Sequence, residues 1–76
     1  MKIYFPPKTI KSLEDKGLKE SDILDVINHG EEITKPDGTK IIIKKYESYG
    51  YEIGIFYVTN NAYDYIVTGV WKYPRR

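Results

Sequence analysis

Residues 39–73 read TKIIIKKYESYGYEIGIFYVTNNAYDYIVTGVWKY, three apolar, tyrosine-rich runs separated by two short polar breaks. β-Branched and aromatic residues at this density favour strands. Breaks this short leave room only for hairpin connections, so sequential strands pair antiparallel as a meander. Such a sheet needs an apolar layer on one side, and residues 1–38 have to supply it. A chain of 76 residues buries only about 60% of the surface its unfolded form exposes, so the core is small.

The chain in order fits that demand. Lys2 to Phe5 is a short apolar run, a candidate edge strand, which Pro6-Pro7 ends because neither proline can donate to a ladder. Proline suits the first helical position, Ile10 and Leu13 fall on one face, and Gly17 supplies a stop, so the spacing predicts a helix from about Pro7 to Lys16. Glu20, Ser21 and Asp22 place acceptors and negative charge at the start of a second helix. Ser21 is the better cap chemically, while Lys19 is the position implied by the family resemblance given below. Ile23, Leu24, Val26 and Ile27 form its apolar stripe, and His29-Gly30 closes it. Glu31 to Lys35 then opens the sheet. Pro36-Asp37-Gly38 has full turn chemistry: proline presets φ, aspartate bonds its own backbone, and glycine accepts positive φ. Strands follow over Thr39–Tyr46, Tyr51–Thr59 and Asp64–Tyr73, with turns at Ser48-Tyr49-Gly50 and Asn60-Asn61. The expected fold is a single α+β domain over residues 1–76: two N-terminal helices packed on a four-stranded antiparallel sheet, with the N-terminal edge strand as an addition. Arg75-Arg76 follows Pro74 as a free basic tail.

Alternation assigns faces within each strand. Lys40, Ile42, Lys44 and Tyr46 share one face against Ile41 and Ile43. Glu52, Gly54, Phe56 and Val58 oppose Ile53, Ile55 and Tyr57. Asp64, Ile66, Thr68, Val70 and Lys72 oppose Tyr65, Val67, Gly69, Trp71 and Tyr73. Grouping the charged sets gives a solvent face carrying Lys40, Lys44, Glu52, Asp64 and Lys72, with Trp71 as a core anchor on the other side. Ile42, Phe56, Val58, Ile66 and Val70 also fall on that charged face, which is therefore either partly covered, a homodimer being the plainest cover, or a binding surface.

Composition excludes several functions. With no cysteine there is no disulfide and no thiolate zinc site. One histidine rules out a multi-histidine metal site in a single chain, and no carboxylate spacing suggests a metal either. No cofactor is expected. The longest apolar runs are far too short to cross a bilayer, and MKIYFPPK does not read as a signal peptide, so a soluble cytoplasmic protein with no membrane association is expected. Net charge is +1 overall, but −2 over residues 1–38 and +3 over residues 39–76. A mildly basic sheet under a mildly acidic helical layer suits an anionic ligand on the sheet, and equally suits ordinary solvated surface.

Lys16-Gly17-Leu18, Asp22-Ile23 in the second helix, the Gly30-Glu31-Glu32-Ile33 exit and a hairpin sheet reaching Val67-Thr68 resemble a family of small bacterial domains of unknown function. That family is itself similar to the RelE and barnase-like ribonuclease toxins. The resemblance extends over almost the whole chain and rests on spacing and turn residues. It implies an RNA-acting domain: a metal-independent endoribonuclease, or a degenerate RNA-binding relative. Where such domains carry a histidine at the start of the first helix this chain has Lys8, an arginine one turn later corresponds to Ser12, and Val70-Trp71-Lys72 stands where threonine and tyrosine are expected.

Metal-free RNA cleavage needs a base on the 2′-hydroxyl, cations on the phosphorane and an acid for the leaving oxygen. The residues this implies are Lys8, Lys44, Thr68 and Lys72 for catalysis, and Lys40, Lys45, Tyr46, Tyr73, Arg75 and Arg76 for RNA binding. An ordinary lysine is a poor base at neutral pH unless burial depresses its pKa. His29, the one histidine, lies where a helix C-terminus takes a cap and a positive charge, so capping is expected of it. Most of the eight tyrosines read as strand residues that pack a ring and wet a hydroxyl. Tyr46 and Tyr73 are the exceptions, because lysines and the basic tail lie close to them in sequence. The alternative reading is a non-enzymatic protein-binding module of a phage or mobile element, such as an inhibitor acting through the sheet face or an edge. On the first reading the partner is RNA, with an antitoxin; on the second it is a target protein.

Overall fold

The computed structural model describes residues 1–74. Among them, β1 (Ile3–Tyr4) leads into α1 (Pro7–Asp15) and α2 (Glu20–His29), followed by β2 (Glu31–Thr34), β3 (Lys40–Tyr46), β4 (Tyr51–Val58) and β5 (Tyr65–Pro74). The strands form one sheet in the order β1-β5-β4-β3-β2. β2 through β5 are the expected antiparallel meander. The sheet has five strands rather than four, and it is mixed: β1 runs parallel to β5, with Ile3 opposite Tyr65 and Tyr4 opposite Ile66. The reason is connectivity. β1 lies at one edge and β2 at the other, and the two helices between them carry the chain across one face of the sheet. The Lys2 carbonyl accepts the Asp64 and Tyr65 amides at 2.9 and 3.1 Å, and the Asp64 carboxylate accepts the Lys2 amide, which fastens β1 to its late partner.

Local chemistry sets the boundaries. Pro7 starts α1. Its buried residues are Thr9 and Leu13, four apart, whereas Ile10 points outward, so a threonine holds the core position expected of an isoleucine. The Thr9 hydroxyl is satisfied there by donating to the Val67 carbonyl at 2.6 Å. α2 begins after Lys19, and the Asp22 carboxylate reaches back to accept the Lys19 amide at 2.8 Å. That is the reciprocal half of a capping box, completed by an acidic side chain because lysine has no acceptor to give. Ile23 and Val26 are fully buried against Ile42, Ile53, Ile55, Tyr57 and Val67 of the sheet, with Leu13 and Leu18 closing the core, while Leu24 faces out. The Lys35–Gly38 turn closes with a 2.9 Å bond from the Gly38 amide to the Lys35 carbonyl, and Asp37 accepts the Thr39 amide as expected.

Cross-strand register corrects the face assignment. Lys44 lies opposite Ile53, which lies opposite Lys72, and Ile42 opposite Ile55, so Lys40, Ile42, Lys44 and Tyr46 sit on the helix side of the sheet. Glu52, Gly54, Phe56 and Val58 sit on the other, open side. In β5 a register shift next to Phe56 and Tyr57 pairs Phe56 with Gly69 but Tyr57 with Val67, leaving Thr68 as the extra residue of a bulge. Beyond it the alternation is inverted, so that Val70 joins Val67 on the helix side and Trp71 moves to the open side. Trp71 is therefore not a core anchor. It lies half-buried across Gly54, with its ring 5.1 Å from that of Phe56. No described helix is long and apolar enough to cross a membrane.

Candidate functional site

The functional side chains that come together do so where β3 and β4 meet beneath the flank of α2. With Ile23 and Val26 turned into the core, Asp25 is carried to the side of α2 above β3. Its Oδ2 accepts hydrogen bonds from Lys44 Nζ at 2.6 Å and from the Tyr46 hydroxyl at 2.7 Å. His29, one turn further on, places Nε2 4.0 Å from the other carboxylate oxygen. The Lys44 bond, and then the Tyr46 bond, hold the Asp25 carboxyl below its usual range. Burial, followed by the bond to Asp25, pushes the Tyr46 hydroxyl above the ordinary tyrosine range. At neutral pH Asp25 is thus a carboxylate and Tyr46 an un-ionised phenol. That arrangement clamps α2 to β3, and the two shifts make the carboxylate a weaker base and the phenol a weaker acid.

The clamp also orders a row of rings. The β3–β4 loop is short, the Tyr49 and Gly50 amides both bond the Tyr46 carbonyl, and Gly50 has a φ of 78°. This closure sets Tyr46 opposite Tyr51 and folds Tyr49 back over the pair. Ring centroids lie 5.3 Å apart for Tyr46 and Tyr51, and 6.0 Å apart, stacked, for Tyr51 and Tyr49. Lys44 Nζ stands 4.6 Å from the Tyr46 centroid and Lys72 Nζ 4.4 Å from that of Tyr51, both within the range of cation–π attraction. Tyr49 is 75% exposed, so its outer ring face is open.

Of the residues expected from the sequence, Lys44, Tyr46 and Lys72 meet here. Lys8 is exposed in the first turn of α1, beside Thr9, which bonds Val67. Lys72 is five residues along β5 from Val67, roughly 16 Å at strand spacing. The Thr68 hydroxyl is occupied at the bulge, donating to the Phe56 carbonyl at 3.3 Å. Lys40 is on the helix side at the opposite end of β3 from Tyr46. Lys45 and Tyr73 flank Glu52 on the open side. Arg75 and Arg76 lie outside the described residues. The four residues expected to catalyse do not converge.

Asp25, Tyr49 and Tyr51 were not expected. Tyr51 becomes legible once the loop length pairs it with Tyr46, and Asp25 once the α2 stripe is placed on Ile23 and Val26. A second polar tie runs from the Tyr57 hydroxyl to Glu32 at 2.8 Å, and burial together with that bond pushes Tyr57 up to about 12. Among the described residues no group of histidine, aspartate and glutamate side chains is arranged to hold a metal ion. Comparison with protein families, curated proteins and solved structures finds no match to this chain.

Proposed function

We propose that the protein binds single-stranded RNA without cleaving it, through the platform formed by Lys44, Tyr46, Tyr51, Tyr49 and Lys72. The observation that carries this reading is the row of three tyrosine rings, Tyr46 tilted on Tyr51 and Tyr51 stacked on Tyr49, flanked by two lysine nitrogens at 4.6 and 4.4 Å and ending in the exposed ring of Tyr49. Successive bases stack on such rings, and lysines beside them meet the phosphates. Lys72 is the freer of the two cations, because Lys44 shares its charge with Asp25. Binding is favoured over cleavage because Lys8 and Thr68 stand apart from Lys44 and Lys72, and because Tyr46 holds its proton. On this reading the protein is a non-cleaving relative of the RelE-like ribonuclease toxins.

The test is fluorescence anisotropy with a labelled oligouridylate, with the same RNA then run on a denaturing gel. We expect micromolar binding whose logarithm falls with log salt at a slope of about −1.4, as two phosphate contacts require. Tyr49→Ala should weaken binding at least about fivefold, the low end for loss of one base stack, and Lys72→Ala should flatten the salt slope, with the RNA intact throughout. Binding that ignores both substitutions, or no binding at low salt, overturns the proposal.

A further inference from the structure

Both helices lie on one side of the sheet, and the other side is left open. There Ile33, Ile41, Phe56 and Gly69 form one row across β2, β3, β4 and β5, and Glu31, Ile43, Gly54 and Trp71 form the next. Phe56 is 37% exposed and Val58 51%. The Trp71 ring lies over Gly54 and the Phe56 ring against Gly69, so both rings sit low on the sheet and line a groove of about 450 Å³.

The charges at the rim of this face have two-fold order. Glu31 opens β2 and Lys35 follows its last residue, each two residues from Ile33. Both turn to the open side: Glu31 lines a cleft with Ile33 and Ile43, and Lys35 Nζ lies 6.0 Å from the Phe56 ring centroid. Consider a half-turn about an axis in the plane of the face, running across the strands through Ile33, Ile41 and Phe56. It sets each of those three against its own copy. It also brings Glu31 over Lys35 of the second copy, and Lys35 over the second copy's Glu31. In the same operation Val58 of the second copy meets the Trp71 ring that covers Gly54, and Lys45 approaches the turn that holds Asp37. The alternative axis, along β4, would carry β2 over to the β1 edge and leave Glu31 and Lys35 away from each other's copies. Aligned sheets pack about 30° apart, which turns these rows without exchanging neighbours.

We infer that two copies of this chain associate through their open sheet faces, strands antiparallel across the interface and helices outward. The face measures about 20 Å by 20 Å from strand spacings. That is roughly 400 Å² of flat area per partner, against about 800 Å² for a standard interface, so the dimer is a weak, concentration-dependent one. The Tyr49 platform lies on the far side of each sheet, so the dimer does not depend on the RNA reading.

Sedimentation equilibrium of the full chain across a concentration series tests this. The mass should rise from 8.9 kDa to twice that value. Phe56→Glu puts two carboxylates face to face on the axis and should leave a folded monomer, the fold being checked by circular dichroism. Lys35→Glu should weaken association about tenfold, since two symmetry-related pairs are lost at once. Adding Glu31→Lys to Lys35→Glu should restore it. This reversal keeps the test decisive if Phe56→Glu does not fold. A protein that stays monomeric at all concentrations overturns the inference, including one whose RNA binding is lost on Phe56→Glu. So does a dimer that survives Phe56→Glu, or one that the double reversal fails to restore.

Discussion

At the residue scale, Gly54 bears the tightest constraint on the open face. A Cβ there would overlap the Trp71 ring, and the tilted Phe56 ring lies 5.1 Å from that of Trp71. Gly54→Ala forces the indole outward, and overpacking of this kind costs about 1–3 kcal/mol. Trp71 is the single tryptophan, so its emission reports the event directly. We expect a red shift in fluorescence together with a lower urea midpoint. A midpoint drop with unchanged emission would place the strain elsewhere. Nothing in the sequence marks this contact, because Gly54 and Trp71 are 17 positions apart and the bulge at Thr68 decides which side Trp71 takes.

At the scale of elements, the Asp25 clamp links α2 to β3 with two bonds on one carboxylate oxygen. The folded-state pKa of Asp25 lies below the ordinary 3.8. On acidification the unfolded chain therefore takes up this proton first, and the clamp's contribution, full above that ordinary value, is lost as pH falls through the folded value. Asp25→Asn should cost about 1 kcal/mol near neutral pH, a modest figure for a charged bond that is partly open to solvent. The difference from wild type should shrink as pH is lowered below 4, which thermal melts across an acid series would follow. A difference independent of pH would show that the charge is not what holds the helix. The elements themselves were legible because their punctuation is chemical: Pro7, the Lys35–Gly38 turn and Asn60, whose side chain accepts the Ala62 and Tyr63 amides. The sides of the strands were not. Alternation is reliable within β3 and β4, but it does not say which faces merge, and a one-residue bulge inverts everything after it. That is why Lys40 and Lys44 were grouped with Glu52, and Trp71 with Val67.

At the scale of the molecule, two tyrosine hydroxyls carry raised pKa values, Tyr46 through burial and Asp25, and Tyr57 through burial and Glu32. Their protons are held more tightly folded than unfolded. Stability should therefore be intact below pH 10 and fall as pH rises from 10 through about 12, the folded value of Tyr57. Urea midpoints measured through that window should decline, and Tyr57→Phe should make the decline shallower. A flat profile would mean that neither hydroxyl is held as its bonds imply. The sheet order was only half legible for a related reason. Hairpins announce themselves through their turns, but the parallel pairing of β1 with β5 has no local signal. It depends on where two helices deliver the chain.

That late pairing has a consequence for how the chain is made. Ile3 is synthesised 62 positions ahead of its neighbour Tyr65. At roughly 5–20 residues per second, the first strand waits several seconds for its place in the sheet. Until Tyr65 appears, Thr9 has no Val67 carbonyl to bond and Leu13 no complete floor to cover. Over that interval the nascent chain carries an unfinished amphipathic helix pair, exposed to whatever chaperones attend the exit site, until β5 seats β1 and completes the floor of the core.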